Sequence, residues 1–212
     1  MKKTKVVLAL ACAVLLAGAS IMGTLAYLTS TPDAVVNTFT IGNNIEITLD
    51  EAKVDTNGKE ITGQSAARVK ANAYTLMPGY TYDKDPTVHV TANSSDSYVF
   101  VKVENGISAF EATTNTIASQ IAAHGWTQLK VNNVDVAGVY YKTYTQSATA
   151  TDLVVFENFV VADNANEVSG WTAATQKTIT VTAYAIQSDS FTDAAAAWNA
   201  SGWGNTAVVP GE

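Results

Sequence analysis

Cysteine is all but missing from this chain. The single residue, Cys12, lies inside an apolar N-terminal run, so the remainder can form no disulfide of its own. Stability has to come from a packed core, which a chain of this length can bury. Positive charge is scarce as well: Arg68 is the only arginine, and 12 Lys and Arg face 19 Asp and Glu. Phosphate binding needs clustered Lys and Arg, so nucleic acid is excluded as a partner, and an anionic membrane surface is disfavoured. Histidine is limited to His89 and His124. They form no His-Glu-x-x-His, and their wide separation is not the spacing of a zinc ligand pair. No Gly-x-Ser-x-Gly elbow accompanies the serines, and no glycine loop cradles a phosphate. No catalytic residues, cofactor or metal are therefore expected, and the chain does not read as an enzyme. Nor does any apolar run reach the roughly 20 residues that a membrane-spanning helix needs.

What is present begins at the N-terminus. Lys2, Lys3 and Lys5 precede an apolar stretch over residues 6–16, followed by Gly23-Thr24-Leu25-Ala26 and then Thr29-Ser30-Thr31-Pro32. A basic region, an apolar region and small residues in that order make a secretory signal peptide, residues 1–26. Cleavage is expected after Ala26, with Thr24 and Ala26 as the small residues read by the peptidase and Tyr27 as the new N-terminus. Losing three lysines and no acid would take the formal net charge from −7 to −10. The processed protein is expected to be secreted and free of the membrane.

Residues 27–212 read as one β-rich domain. Ile45, Ile47 and Leu49 alternate with polar residues, as do Val88 and Val90. Val99, Val101 and Val103 share one face of a strand, with Tyr98, Phe100 and Lys102 on the other. Ile179, Val181, Ala183 and Ala185 alternate with threonines. Period two over such windows marks strands with one face in a core. Asn57-Gly58 and Asn105-Gly106 are hairpin-type dipeptides. Pro78-Gly79 is a turn launching a run over residues 81–92. Residues 51–70 read as a loop or irregular edge excursion. Asp55-Thr56-Asn57-Gly58-Lys59-Glu60 superficially resembles a calcium loop but lacks the later ligands, so it reads as a turn. Two short helices are expected. One spans residues 113–123 and stops at His124-Gly125. The other spans residues 192–199, with a Thr192 cap and Asp193 in its first turn. The tail, residues 205–212, is expected to fray. These elements predict an all-β fold, a jelly-roll-like antiparallel β-sandwich with a few short peripheral helices.

Three stretches resemble the exported TasA–camelysin family of Gram-positive bacteria. The first is Gly23-Thr24-Leu25-Ala26-Tyr27-Leu28-Thr29 with Asn37-Thr38-Phe39-Thr40-Ile41-Gly42-Asn43. The second runs from Leu76-Met77-Pro78-Gly79 through Lys84-Asp85-Pro86-Thr87-Val88 to Tyr98-Val99-Phe100-Val101-Lys102-Val103. The third is Ile179-Thr180-Val181-Thr182-Ala183-Tyr184-Ala185-Ile186-Gln187, then Phe191 and Ala197-Trp198. The resemblance implies processing by a SipW-type signal peptidase and a jelly roll at the cell surface or in a biofilm matrix. It also implies fibres in which an N-terminal strand of one subunit completes its neighbour's sheet. Partners would then be copies of the chain itself or a related family member. The donor strand would be residues 27–41, with Val35, Phe39 and Ile41 as its apolar contacts. A monomeric surface binding or adhesion module is the alternative, with Trp126, Tyr140, Tyr141, Trp171 and Trp203 as candidate contacts. A camelysin-type protease is disfavoured by the missing zinc motif.

Overall fold

A computed structural model describes residues 44–172 and 177–205, all within the compact unit Gly42–Glu212. Ten strands carry the architecture: β1 (Ile47–Ala52), β2 (Arg68–Val69), β3 (Thr81–Asp83), β4 (Thr87–Val90), β5 (Ser97–Asn105), β6 (Thr127–Val131), β7 (Val134–Tyr144), β8 (Thr151–Val154), β9 (Asn158–Val160) and β10 (Ile179–Gln187). Two short helices accompany them, α1 (Ile117–Ala123) and α2 (Ala194–Ser201). One sheet has the order β2-β1-β4-β8, the other β10-β5-β7-β6, and β3 pairs with β9 as a separate ribbon. Every pairing is antiparallel. The fold is an all-β sandwich.

The core follows the alternation. Val88 and Val90 from one sheet meet Val99, Val101 and Val103 from the other, with Phe156, Phe159 and the α1 residues Ile117 and Ile121 closing the cluster. Strand β5 departs from the expectation of one buried face. Phe100, on the side away from the valines, is fully buried, because α2 and the turn after it cover that side of the sheet. There the Phe100 and Trp198 rings lie 5.3 Å apart, and Tyr184 stacks on Trp203 at 4.8 Å. Polar residues at strand ends hid this second layer, since alternation reports only how many faces are apolar when one is wet.

Four local expectations are corrected. The run over residues 81–92 is broken into β3 and β4, which belong to different sheets. Pro86 lies at the break; it supplies no N–H and restricts Asp85 before it. Asn105-Gly106 is not a hairpin turn: Gly106 donates its N–H to Thr178 O at 2.9 Å and the chain leaves the sheet. The hairpin is instead Asn132-Asn133, where φ of 51° and 63° joins β6 to β7, and Val131 pairs with Val134. Asn tolerates this left-handed conformation, which a two-residue I′ turn requires at both positions. Finally, the helices start later than read. Asn115 at φ 55° prevents helix over residues 113–115, and Thr116 caps α1 by accepting from Ser119 N–H at 3.1 Å. Asp193, not Thr192, caps α2 by accepting from Ala196 N–H at 2.8 Å, and Gly202 at φ 75° ends it.

Asn57-Gly58 does turn the chain. Asp55 N–H donates to Lys59 O at 2.8 Å, closing a short ladder between Val54 and Glu60. Gly58 has φ 71°, and a Cβ there would come within 2.3 Å of the Tyr82 ring. The glycine is thus needed for both the turn and the ring that packs on it.

Candidate functional site

Along one side of the sandwich β10 stands next to β1 of the other sheet, and no ladder joins the two strands. Strand β10 pairs over all nine of its residues with β5, from Ile179 opposite Asn105 to Gln187 opposite Ser97. Among the described residues no strand pairs with its other edge. The remaining outer strands are shorter: β6 has five residues, β8 four and β2 two. Long exposed edges invite pairing with another chain, and proteins usually shorten or cover them.

Beside that edge lies a cleft of about 890 Å³. Leu49 of β1, Ile107, Phe110 and Phe159 lie on its apolar side, together with Ile179 and Val181 of β10. One wall is the extended stretch over residues 70–76, outside any strand, whose exposure alternates so that Asn72, Tyr74 and Leu76 turn inward. The other wall carries Trp171, whose ring meets Phe110 edge-on at 5.3 Å. Lys177 Nζ sits 5.5 Å over the Phe110 ring. At the far end of β10, Asn44 and Ile45 border a smaller hollow with Ala185, Ile186 and Gln187. The described fold therefore begins beside the free edge.

Charged groups cluster around Asp50, which borders the cleft. Arg68 Nε donates to Asp50 Oδ1 at 2.6 Å and its Nη1 to Asp85 Oδ2 at 2.6 Å. On the outer face of the β1–β4–β8 sheet, His89 Nε2 lies 2.9 Å from Asp50 Oδ1 and Nδ1 lies 2.6 Å from Asp152 Oδ1. Burial pulls the His89 imidazolium down, but the two carboxylates outweigh it and hold it above its ordinary value. Burial likewise pushes Asp50 up, and Arg68 and His89 together hold it below the usual carboxylate range. Tyr74, at the cleft wall, is pushed up by burial and by the Glu51 carboxylate.

The expected site residues divide sharply. Thr24, Ala26, Tyr27, Val35, Phe39 and Ile41 lie outside the described residues. The candidate contact aromatics do not form an exposed platform. Trp126 is buried, its Nε1–H donating to Val154 O at 2.7 Å, and Lys142 Nζ lies 5.1 Å over its ring. Tyr140, Tyr141, Trp171 and Trp203 are half-buried, and of the five only Trp171 borders the cleft. The histidines belong to separate clusters, His124 Nε2 standing 3.7 Å from Glu157. Among the described residues no group of three or more His, Cys, Asp or Glu could hold a metal. Sequence reading gave no site role to Glu51, Asn72 and Lys84 at the cleft wall, which sit far apart along the chain. It also passed over the carboxylates around His89, brought in by strand pairing across 63 residues.

No protein-family model, curated protein or solved structure matches the chain. Among the described residues no helix is long and apolar enough to cross a membrane.

Proposed function

We propose that this is a secreted structural protein of the cell surface or biofilm matrix, with a jelly-roll topology. It assembles into fibres when residues 27–41 of one copy add as a strand to β10 of the next. The observation that carries this reading is the nine-residue edge of β10, which no strand pairs with among the described residues, beside a cleft with an apolar side. An added strand satisfies the edge N–H and C=O groups, and alternate side chains enter the cleft to set register. In residues 27–41, Val35, Phe39 and Ile41 supply such side chains. The first described residues, Asn44 and Ile45, lie at the same edge. Such a head-to-tail contact does not close and yields a filament. Export would free Tyr27 by cleavage after Ala26, coupling secretion to assembly.

Deleting residues 27–38 is expected to leave a folded monomer that forms no filaments, and Phe39→Asp to act similarly by placing a charge in an apolar site. Circular dichroism read beside electron microscopy tests this. Loss of the fold on deletion would mean that the segment is an intrinsic strand.

A second reading has one observation in its favour. Trp171, Phe110 and Tyr74 line a cleft that also carries Lys70 and Lys177, rare cations in an acidic protein. A monomeric adhesion module would use that cleft for a ligand, and Trp171→Ala would then abolish binding while circular dichroism shows the domain still folded.

A further inference from the structure

The wall of the cleft holds a group of three side chains that neither reading uses. Glu51 is 4% exposed, at the end of β1. One of its oxygens, Oε2, accepts from Lys84 Nζ, and the other, Oε1, accepts from Asn72 Nδ2 at 3.1 Å. An amine and a carboxamide are thus held on the two oxygens of one dry carboxylate. The Lys84 side chain is 11% exposed. The carboxamide is fixed further: its Oδ1 accepts from Val54 N–H at 3.1 Å and its Nδ2 also donates to Ala52 O at 2.8 Å. The backbone around the lysine is fixed as well, Lys84 N–H donating to Glu157 O at 3.0 Å. A buried ion pair is costly to keep, and burial favours chemistry that removes its charges. Positioning of this kind is what turns a slow bimolecular step into an intramolecular one.

We propose that Lys84 and Asn72 become joined by an amide bond between Nζ and Cγ, with Glu51 carrying the protons. A proton passes from Nζ to Glu51, leaving a neutral amine. Its lone pair attacks Cγ of Asn72, and the negative charge that develops on Oδ1 is met by the Val54 N–H. Glu51 delivers its proton to Nδ2 and takes one from the new Nζ–Cγ nitrogen. The Cγ–Nδ2 bond breaks, ammonia departs through the cleft carrying the last proton away as ammonium, and Glu51 is left as it began. Nothing is oxidised or reduced. The product is a covalent staple across the extended stretch over residues 72–84, which includes the cleft wall lacking strand pairing. A chain without cysteine beyond Cys12 obtains in this way what a disulfide supplies in other exported proteins.

Mass spectrometry of a tryptic digest of the folded protein tests this without any assumption about fibres. Residues 71–102 contain Lys84 and end at Lys102, with no other trypsin site between. Expected is a peptide spanning residues 71–102, uncut after Lys84 and lighter by about 17 Da, the mass of ammonia. Glu51→Gln, in protein shown by circular dichroism to be folded, is expected to restore the full mass and the cut after Lys84. A full-mass pair of peptides from the folded parent would overturn the proposal. So would a 17 Da loss confined to a peptide normally cut after Lys84, which would be an imide at Asn72 alone.

Discussion

At the residue scale, His89 is a side chain whose charge state changes under ordinary conditions. It stands on β4 between carboxylates of β1 and β8, so its imidazolium ties three strands together. Its folded pKa lies above the unfolded value of 6.5, since the carboxylates outweigh burial. The stabilisation is therefore fully present below pH 6.5 and is lost as pH rises through the higher folded value. Asp50 behaves oppositely: its folded pKa is depressed below 3.8, so its contribution is present above that value and fades as pH falls through the folded one. The pair is partly exposed, and about 1 kcal/mol or less is expected from the histidine. Melting temperature measured from pH 5 to 9 should fall across the upper half of the range in the parent and stay flatter in His89→Gln. Equal slopes would show that the imidazolium is not bridging. Val101 offers a harsher case. It is fully buried between β10 and β7, and Val101→Asp would leave an unpaired charge costing on the order of several kcal/mol. Circular dichroism of the variant is expected to show no folded protein; a variant melting within a few degrees of the parent would refute that burial.

At the element scale, β6 and β7 depend on a turn that was hard to foresee. Asn132 and Asn133 both adopt positive φ, a conformation that disfavours branched side chains. Asn133→Gly should hold or raise the melting temperature, whereas Asn133→Val should lower stability by about 1 kcal/mol or more. A valine variant as stable as the parent would mean that the turn rearranges. The same hairpin illustrates what the sequence makes legible. Strands with one wet face, such as Ile47-Thr48-Leu49 and the valines of β5, declare themselves by alternation. Phe100 did not, because its cover comes from α2, almost a hundred residues later, and only the tertiary fold brings them together. The break at Lys84-Asp85-Pro86 was legible in Pro86, but residues 81–92 were read as one run because both halves alternate. The two helices were found, and α1 ends at Ala123 before His124-Gly125 as read, but their starts were not, since the deciding side chains, Thr116 on Ser119 N–H, Glu111 on Ile117 N–H and Asp193 on Ala196 N–H, act as caps rather than as periodic positions. The cleft was not legible at all. Its residues come from β1, the stretch over residues 70–76, β10 and the loops around Phe110 and Trp171, and no spacing along the chain connects them.

At the scale of the whole molecule, the two sheets meet at β1 and β10 in a seam that carries no ladder among the described residues. Sheet β10-β5-β7-β6 is covered on its outer face by α2, and its inner face packs on the core, so the unsatisfied part is an edge rather than a face. The seam between β1 and β10 runs from Ile45 beside Ala185 to Leu49 and Glu51 across from Thr178 and Val181. A strand laid into it would complete the sheet and cover the cleft together. An amide between Lys84 and Asn72 would hold the cleft wall still while such a strand docks.

The absence of cysteine beyond Cys12 makes the central claim directly measurable. A processed chain carrying Thr40→Cys together with Thr180→Cys or Thr182→Cys on β10 places one thiol in the proposed donor segment and one on the acceptor edge. Oxidised under assembly conditions and run on a non-reducing gel, at least one of these pairs should give a ladder of dimers, trimers and longer species that collapses to monomer on reduction. A monomer with an internal disulfide and no ladder in any pair would place residues 27–41 on their own subunit's edge and contradict assembly by strand donation.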